Sequence, residues 1–596
     1  MLNSIFDGMD GEFSARLRSH KVSTRTSRTR EGEITLTSQV AVAEARFSLN
    51  VLDRLHEPNF IAFRRPTSDG ESFIIYEIIG VRPMHYQMLG MGISVPKVIR
   101  REFLERIDRS WKASDETWID VIAVPTGYRM KIKDDRLEFE RSNLTPLVGS
   151  EAHILSKETV KEFLCVDEGV AIGNLIGFDL PLTVNIAEMV RYHTGIFGFT
   201  GCGKSNLCSF LIRKALERMR RMSIVIFDVA GEYLIHLLDL EPHLFSTEDF
   251  GDDVDRVMDS QAIPETLENI LNRQIIADSV QRLIDEGKIQ RLSLSYPLEP
   301  IPLTMGLILD LFGDIARSRR RESVQATVAL NKLNRFVLGR GYDDEVPLEA
   351  IAEDTQARTE LERILQEFMA SVHSMSGTVK DIQTIISILR EGSPKETKGE
   401  HEGVIRNAEW LAAQVAIGEY TGVNIVYLPD PTVARQVVSR FINQLLWLKK
   451  TRGVGRTVLT ILDEAQEFIP DRTRKDNYTE QSNIAVEALL RQGRKYRANC
   501  WICSQRVAHL NVNALQQLHS YFVSVLPRFY DRMVIADAFS LSYDLLDRTT
   551  ELDIGEWLFV SYKATKQRNV PAFIKTPNNE EIVAERLESL RSGYEY

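Results

Sequence analysis

Short apolar runs separated by turn-forming residues dominate the chain between residues 33 and 183. Phe60-Ile-Ala-Phe63 and Trp118-Ile-Asp-Val-Ile-Ala-Val124 are rich in β-branched and aromatic residues, and Pro and Gly punctuate the segments around them. Runs of this length and composition are typical of β-strands joined by tight turns. The pattern predicts a small β-barrel that also carries some helix.

A second pattern, in which strand-like runs alternate with helical ones, begins near residue 184. Thr194–Gly198 is an apolar run, and Ser205–Arg220 follows it with apolar residues at helical spacing and no Pro or Gly. Strands that alternate with helices form a mostly parallel sheet flanked by those helices. We therefore predict an α/β fold of the RecA-like kind, with further strands at Ser223–Asp228, Val423–Leu428, Thr457–Leu462, Asn499–Ser504, Tyr521–Leu526 and Trp557–Tyr562.

Long helical patterns interrupt this alternation between residues 240 and 420. Pro264–Ile289, Val324–Leu338 and Thr359–Leu389 have this character, and a polar break follows them at Ser393–Gly403. We interpret residues 240–420 as a helical insertion that splits the core. The remaining predicted segments are an N-terminal arm at 1–32, the barrel-like domain at 33–183, core segments at 184–239 and 421–565, and a C-terminal tail at 566–596.

The first strand and helix of the core flank a glycine-rich loop. Its sequence, Gly198-Phe-Thr-Gly-Cys-Gly-Lys204-Ser205, fits the phosphate-binding pattern G-x-x-x-x-G-K-[S/T]. In such a loop the backbone N–H groups of Gly201 and Gly203 and the helix N-terminus cradle the phosphates. Lys204 is expected to bridge the β- and γ-phosphates, and the Ser205 hydroxyl to ligate Mg²⁺. The setting between a strand and a helix argues against a chance glycine turn.

A second candidate element contains Asp463, which lies 259 residues after Lys204. Thr457-Val-Leu-Thr-Ile-Leu-Asp463-Glu464 is an apolar strand that ends in two acids, the form of a Walker B element. Asp463 is expected to hold Mg²⁺ through water, and Glu464 to polarise the attacking water as general base. A glutamate in the second place favours hydrolysis over transfer to a bound substrate. Together the two elements predict hydrolysis of ATP.

Another acid stands at the end of the second core strand, in Asp228-Val-Ala-Gly231-Glu232-Tyr233. The carboxyl ends of parallel strands meet at one edge of a sheet, where ligands bind, so this acid is expected to face the nucleotide. We therefore include Asp228 and Glu232 in the predicted nucleotide-binding set, which also contains Gly198, Thr200, Gly201, Cys202, Gly203, Lys204, Ser205 and Asn206.

Composition adds limits to this picture. The net charge of −11 argues against a basic surface overall, although a ring can be acidic outside and basic in its pore. No apolar run reaches the length of a membrane span and no export signal is visible, so we expect no membrane association and a cytoplasmic location.

The five cysteines are too few, and too apolar in their surroundings, to predict a disulfide framework. Cys500 and Cys503 fit a core strand, whereas modification of Cys202 is expected to block nucleotide binding.

The N-terminal arm is basic. Between residues 14 and 30 the chain has no acid and carries Arg16, Arg18, Lys21, Arg25, Arg28 and Arg30. A segment of this kind can bind nucleic acid or a partner protein, or it can be a solvated and partly disordered tail. The sequence leaves both interpretations open.

Five motifs, in order along the chain, resemble those of the HerA branch of the HerA/FtsK hexameric DNA translocases. The first is the phosphate loop, and the others are Asp228-x-x-Gly-Glu-Tyr233, Leu462-Asp-Glu-Ala-Gln-Glu-Phe468, Gln492-Gly-Arg-Lys-Tyr496 and Ser504-Gln-Arg506. The resemblance covers the split core and the β-rich region, which is similar to the HAS-type barrel of that family. It does not clearly cover the helical insertion or the basic arm.

The resemblance implies roles for three further side chains. Gln505 would contact the γ-phosphate or the attacking water, and Arg494 would reach into the neighbouring subunit's site as an arginine finger, with Arg506 as the competing candidate. The family usually has an acid where this chain has Gln492, which leaves the pairing of that helix end open. A solvated helix terminus is the alternative for Arg494.

The loop that follows the Walker B strand is a candidate DNA contact. Its basic residues, Arg472, Arg474 and Lys475, suit contacts with phosphates along a central channel. Nothing in the loop suits base readout, which uses a recognition helix or base-stacking aromatic residues. An exposed, salt-bridged loop is the equal alternative.

By the same resemblance, the chain would form a homohexamer that hydrolyses ATP and passes double-stranded DNA through its pore. HerA relatives work with a second protein, the nuclease NurA in DNA end processing or a sirtuin-like NADase in some antiphage systems. We expect an oligomeric effector of this kind to dock on the N-terminal domain. The alternative is an ATP-controlled ring scaffold that assembles and activates an effector with little translocation.

Overall fold

The computed structural model divides the chain into two compact units, one made of residues 1–294 and 406–596 and the other of residues 295–405. Within the described residues, no helix is both long and apolar enough to cross a membrane. The description covers the whole chain except residues 1, 30–31, 56–58, 69, 90–96, 112–115, 135, 295–303, 318–322, 344–345, 347, 373–381, 384, 387–388, 391–405, 454, 474–476 and 593–596.

An eight-stranded sheet forms the N-terminal part of the larger unit. Its elements are α1 (Leu2–Ile5), β1 (Phe6–Asp7), β2 (Ala15–Thr29), β3 (Gly32–Arg46), α2 (Leu49–Arg54), β4 (Asn59–Thr67), β5 (Gly70–His85), α3 (Tyr86–Leu89), α4 (Lys97–Ser110), β6 (Thr117–Lys133), β7 (Arg136–Arg141) and β8 (Glu151–Leu155). The strand order is β1-β8-β2-β3-β6-β5-β4, with β7 beside β6. Because β8 pairs with β4 as well as β2, the sheet is partly closed. The small barrel stays a prediction.

The basic segment near the N-terminus forms strand β2, which pairs with β3 from Ala15 to Thr29. Arg18 donates to Asp120 at 2.7 Å, and Arg25 donates to Asp544, in the C-terminal half of the chain, at 3.1 Å. The segment is therefore a paired strand held by ion pairs, and not the partly disordered tail that was one of the two interpretations of the sequence. Binding of nucleic acid or a partner by this segment stays a prediction.

A second, twelve-stranded sheet carries the rest of the larger unit. Helix α5 (Lys157–Leu164) leads into it. The first half of its elements is β9 (Val170–Leu175), β10 (Pro181–Val184), α6 (Ile186–Arg191), β11 (Thr194–Phe197), α7 (Lys204–Arg218), β12 (Ser223–Asp228), α8 (Tyr233–His236), β13 (His243–Ser246), α9 (Val254–Asp259), α10 (Glu265–Ile270), α11 (Arg273–Asp285) and β14 (Ile289–Arg291).

The smaller unit, residues 295–405, is helical where it is described. It contains α12 (Met305–Arg317), α13 (Ser323–Arg340), α14 (Leu348–Glu353) and α15 (Thr355–Ser371), which bury a core of their own that includes Phe312, Leu333 and Leu365. Residues 240–294 lie outside this unit, because they add β13 and β14 to the large sheet. These strands are too short to show in the hydrophobic pattern, and the exact bounds of the six predicted segments stay a prediction.

The chain returns to the large sheet after the helical unit. The second half of the elements is α16 (Ala408–Ile417), β15 (Gly422–Tyr427), α17 (Pro431–Thr451), β16 (Val458–Leu462), α18 (Thr479–Gln492), β17 (Ala498–Ser504), α19 (Val512–Leu515), β18 (Ser520–Val523), α20 (Phe529–Phe539), α21 (Tyr543–Asp547), β19 (Glu556–Ser561), β20 (Ala572–Lys575) and α22 (Asn579–Ser592).

The large sheet has the order β10-β9-β20-β19-β18-β11-β17-β16-β12-β15-β13-β14. From β18 to β14 every neighbouring pair is parallel, whereas the pairs on the β10 side are antiparallel. The strands β11, β12, β16 and β17 are buried at every position, as is typical of a parallel sheet covered on both faces. The predicted α/β fold with a mostly parallel sheet is confirmed, and β11, β12, β16 and β17 end at one edge.

Candidate nucleotide site

The phosphate loop joins the end of β11 to the start of α7. Gly201 and Gly203 have φ angles of +85° and +93°, values that glycine adopts readily and other residues avoid. Gly203 is the residue that precedes the first turn of α7, whose initial residue is Lys204. The unpaired N–H groups of a helix start attract anions, so the loop has the form that the sequence predicted.

Two side chains at the start of α7 are largely buried. Lys204 is 9% exposed, and its ammonium donates to the carbonyl of Phe199 at 3.3 Å, which keeps the cation inside the loop. The Ser205 hydroxyl, also on a residue 9% exposed, donates to Glu232. The loop after β12 is thereby linked directly to the phosphate loop.

Asp228 holds that second loop in shape. Its carboxylate accepts the backbone N–H groups of Ala230, Gly231 and Tyr233 at 3.1, 2.7 and 2.9 Å. Burial raises the pKa of Asp228 to about 6. Gly231 has φ +74°, and a Cβ there would lie 2.7 Å from the Ser260 carbonyl oxygen. The turn therefore requires glycine, and Glu232 is the acid that it presents to Ser205.

The Walker B acids follow β16 at the same edge. Asp463 is 3% exposed, and burial, together with the neighbouring Cys503 and Asp228, raises the pKa of its carboxyl well above the usual range. The hydroxyl of Tyr233 donates to it at 3.5 Å. Glu464 has φ +45°, a strained conformation of the kind that clusters at functional sites.

A network of amides and hydroxyls holds Glu464. Gln505, at the end of β17, donates from Nε2 to one carboxylate oxygen at 2.9 Å, and Gln466 donates to the other at 2.6 Å. The hydroxyl of Thr200, in the phosphate loop, donates to the side-chain oxygen Oε1 of Gln505. Ser504 in turn donates to Gln466 at 2.7 Å. Gln466 and Ser504 lie inside the quoted motifs, but the sequence reasoning assigned neither a role.

The arrangement fits a magnesium ion held together with nucleotide phosphates. Glu232, Asp463 and Ser205 line the same cavity as the cationic side chain of Lys204, and burial, followed by the neighbouring Cys503 and acids, raises the pKa of Asp463. No group of three or more His, Cys, Asp or Glu suited to a metal occurs among the described residues. Magnesium suits a site with so few protein ligands, because the ion keeps several waters and takes phosphate oxygens as ligands.

The C-terminal segment, predicted as a tail, forms one wall of the cavity beside the phosphate loop. This cavity has a volume of about 630 Å³ and is lined in part by Gly555 and by residues 575–578. Asn206 donates to Asn578 at 2.6 Å and accepts the N–H of Asn579 at 2.7 Å. Neither motif indicates this wall, because residues 575–578 lie at least 111 residues after Glu464.

The cysteines are buried where the structure describes them. Cys202 lies under the phosphate loop rather than on it, at 5% exposure, and burial raises the pKa of its thiol. A buried thiol with a raised pKa is a poor nucleophile, and the effect of modifying Cys202 on nucleotide binding stays a prediction. Cys500 and Cys503 lie in the core strand β17 with no exposure, as the sequence predicted.

The two arginine candidates lie at opposite edges of the sheet. Arg494 precedes β17, and its guanidinium lies 5.1 Å from the ring of Tyr192, which precedes β11. The phosphate loop follows β11, so Arg494 is at the far edge from the nucleotide site of its own subunit. Arg506 is exposed beside Gln505 at the near edge. The predicted finger role of each stays a prediction.

The candidate DNA loop is described only in part. Arg472 is exposed, and the N–H of the preceding Asp471 donates to the carbonyl of His509 at 2.8 Å. Arg474 and Lys475 lie outside the described residues. A role of this loop in DNA binding stays a prediction.

Comparisons with known proteins point to one family. Residues 170–411 match the family model described as Helicase HerA, central domain. The chain is 21% identical over 471 residues to the DNA double-strand break repair helicase HerA of Saccharolobus solfataricus, covering 76% of this chain and 78% of the relative. It is 22% identical over 445 residues to the protein of the same name from Sulfolobus acidocaldarius, covering 71% and 72%.

Among solved structures, VirB4 of Thermoanaerobacter pseudethanolicus is similar with a TM-score of 0.35 and 16% identity, covering 69% of this chain and 97% of that one. The matched central domain contains the phosphate loop and the Asp228–Tyr233 turn, and the alignments with the curated relatives extend over about three quarters of the chain. The chain is an ATPase, and over about three quarters of its length it is similar to the HerA helicases.

Proposed function

We propose that this ATPase is a homohexameric motor that moves along double-stranded DNA. The observation that carries the proposal is the placement of Glu464 beside Lys204, Ser205 and Asp463, with Gln505 joining it to the phosphate loop. The names of the curated relatives, DNA double-strand break repair helicases, support DNA as the substrate of the movement.

The residues divide the work of hydrolysis among them. Lys204 contacts the β- and γ-phosphates, and Ser205 and Asp463 hold Mg²⁺, which when bound neutralises charge on the phosphate oxygens. Glu464 accepts the proton of the attacking water. Each of its carboxylate oxygens accepts one hydrogen bond, from Gln505 and from Gln466, and each keeps a further lone pair that can take the proton.

Thr200 links Gln505 to the phosphate loop. Its hydroxyl donates to Gln505 and lies in the loop that holds the phosphates, where phosphate oxygens are stronger acceptors than a neutral amide. When Thr200 turns to a phosphate oxygen, Gln505 loses this hydrogen bond and its side chain can turn to the γ-phosphate or to the attacking water. Gln505 thus acts as the polar sensor of the γ-phosphate.

The position of Arg494 supports action between subunits. It lies at the edge of the sheet opposite the nucleotide, so it can act as an arginine finger only in the site of a neighbour. A ring provides such neighbours at every interface. Arg506 is the alternative finger, and the loop with Arg472, Arg474 and Lys475 contacts DNA phosphates in the pore.

An oligomeric effector, either a nuclease or an NADase, docks on residues 1–183 in this proposal. A ring displays several copies of that domain, so weak contacts with each subunit add up through avidity. The setting is DNA end processing or antiviral defence. Long duplex DNA should therefore raise the ATPase rate, and the ring should displace a protein roadblock from DNA.

The test compares ATP turnover on duplexes of increasing length with roadblock displacement, and Glu464→Gln serves as the inactive control. A turnover that rises with duplex length and displacement that requires ATP are expected. Turnover independent of DNA, in a ring that still activates its effector, would contradict the motor and support the scaffold.

A further inference from the structure

Positive charge collects around one aromatic ring at the edge of the large sheet that lies away from the phosphate loop. The guanidinium carbon of Arg494 lies 5.1 Å from the centre of the Tyr192 ring, and the ammonium of Lys563 lies 5.4 Å from it. The guanidinium carbon of Arg191 lies 5.6 Å from the same centre. The face of an aromatic ring attracts cations within about 6 Å. Three separate parts of the chain therefore place a cation over a single tyrosine.

Strand register brings these side chains together. Tyr192 lies two residues before β11, whose first residue pairs with the first residue of β18. That residue, Ser520, also pairs with Ser561 at the end of the antiparallel strand β19, and Lys563 follows two residues later. Arg494 precedes β17, which pairs with β11 on its other side. The cluster therefore lies where β11, β17 and β18 begin and where β19 ends.

Carboxylates do not balance the charge of this cluster. Arg191 has Glu188 at 3.9 Å, but Arg494 and Lys563 form no ion pair with any residue in the described part of the chain. Burial, together with Arg494 and Lys563, lowers the pKa of His519, whose ring lies 5.1 Å from that of Tyr192. The two cations thus disfavour a third positive charge beside them. An anion bound at this place would relieve the repulsion between them.

The nucleotide of the same subunit is too far away to supply that anion. Strand β17 has seven residues and spans roughly 20 Å at about 3.3 Å per residue. Arg494 precedes this strand, whereas the phosphate loop follows the opposite end of the neighbouring strand β11. A gap of this size exceeds the reach of an extended arginine or lysine side chain. The anion must therefore belong to a second molecule.

We propose that Arg494, Lys563 and the ring of Tyr192 form a phosphate-binding site that a second molecule fills. Arginine matches a phosphate with its planar fork of donors, and lysine adds a point charge. The phosphates come from the nucleotide of a neighbouring copy or from the backbone of DNA. The site rests on the function proposed above, and it adds to Arg494 two residues that none of the five motifs contains.

The test replaces Lys563 and measures ATP turnover without DNA beside affinity for duplex DNA at several salt concentrations. Lys563→Met should lower one of the two about tenfold, as expected for the loss of one charged contact with phosphate. Lys563→Arg keeps the charge and should stay close to the unaltered protein. Lys566→Met is the matched control, because Lys566 is exposed on the same loop and pairs with Asp167 at 3.5 Å. This control should change neither quantity.

The two measurements separate the two sources of phosphate. If the nucleotide of a neighbouring copy fills the site, Lys563→Met lowers ATP turnover without DNA. Mixing this variant with Glu464→Gln then restores turnover where an intact lysine faces an intact base. If DNA fills the site, Lys563→Met weakens duplex binding instead, and the salt dependence of binding falls by about one released counterion.

Tyr192 is expected to position the two cations, so its ring should matter and its hydroxyl should not. Tyr192→Phe keeps the ring and should behave as the unaltered protein does. Tyr192→Leu should repeat the defect of Lys563→Met in the same measurement, because the surface that holds the cations is lost. Thermal unfolding of each variant shows whether the variant is folded.

Equal turnover and equal duplex affinity in Lys563→Met and Lys566→Met would overturn the phosphate site. A loss in Lys563→Arg as large as that in Lys563→Met would also overturn it, since charge would then not be the cause. Failure of the motor has a different sign, because the turnover of the unaltered protein would then not respond to duplex DNA. The difference between the two methionine variants depends on the phosphate site alone.

Discussion

Substitution of Glu464 by glutamine tests the proposed base with little change in shape. The carboxylate accepts from both Gln505 and Gln466, whereas an amide has one acceptor oxygen. One of the two donors therefore faces an NH₂ group, which costs about 1–3 kcal/mol locally. Loss of a general base lowers turnover roughly 10²–10⁴-fold, equivalent to about 3–5 kcal/mol of activation free energy. We therefore expect Glu464→Gln to hydrolyse ATP at least a hundredfold more slowly.

Binding of ATP by this variant should be close to normal, because Lys204 and Ser205 are untouched. Lys204→Ala should show the opposite pattern and lose affinity for the nucleotide first. The assay is steady-state ATP turnover beside nucleotide affinity, measured for both variants. Glu467→Gln is the control, since Glu467 lies three residues further on and pairs with Arg435 instead. Near-normal turnover in Glu464→Gln would remove Glu464 from the role of base.

Three further outcomes are expected. Arg494→Ala and Glu464→Gln should each be inactive alone, and mixed rings should regain turnover where an intact arginine faces an intact site; no recovery, in rings shown to exchange subunits, would favour Arg506 or a cis role. Deletion of residues 1–183 should abolish co-purification of the effector, with ATP binding by the remaining core as the control for folding. If a folded core still captures the effector, the docking surface lies outside residues 1–183. Binding to duplex DNA should be indifferent to sequence, and a flatter salt dependence with lower DNA-stimulated turnover is expected after neutralisation of the three loop cations, Arg472, Arg474 and Lys475. Unchanged DNA stimulation in that triple variant would exclude the loop.

The nucleotide motifs could be found from sequence because each is local. The phosphate loop needs one strand, one turn and one helix, all within residues 194–218, and the structure has these elements there. Asp463 and Glu464 follow a single apolar strand in the same way. The parallel order of the sheet then brings the motifs together at one edge, because carboxyl ends of parallel strands meet.

Two side chains of the predicted site have directions that the sequence motifs do not specify. Asp228 was expected to face the nucleotide, but its carboxylate is taken up by three N–H groups of its own loop. Cys202 lies within the loop sequence yet points beneath it, into the core. In both cases the position along the chain was right, and the direction of the side chain depended on burial that the motif does not specify.

The fold class, the phosphate loop and the Walker B acids could be predicted from sequence, because hydrophobic period and short motifs act over a few residues. Long-range contacts, in contrast, set the edge on which Arg494 lies, the partial closure of the N-terminal sheet and the C-terminal wall of the cavity. The bond from Asn206 to Asn578 joins residues 372 positions apart. No periodic pattern encodes such a contact, because it exists only after the sheet has brought β20 and the start of α22 beside the phosphate loop.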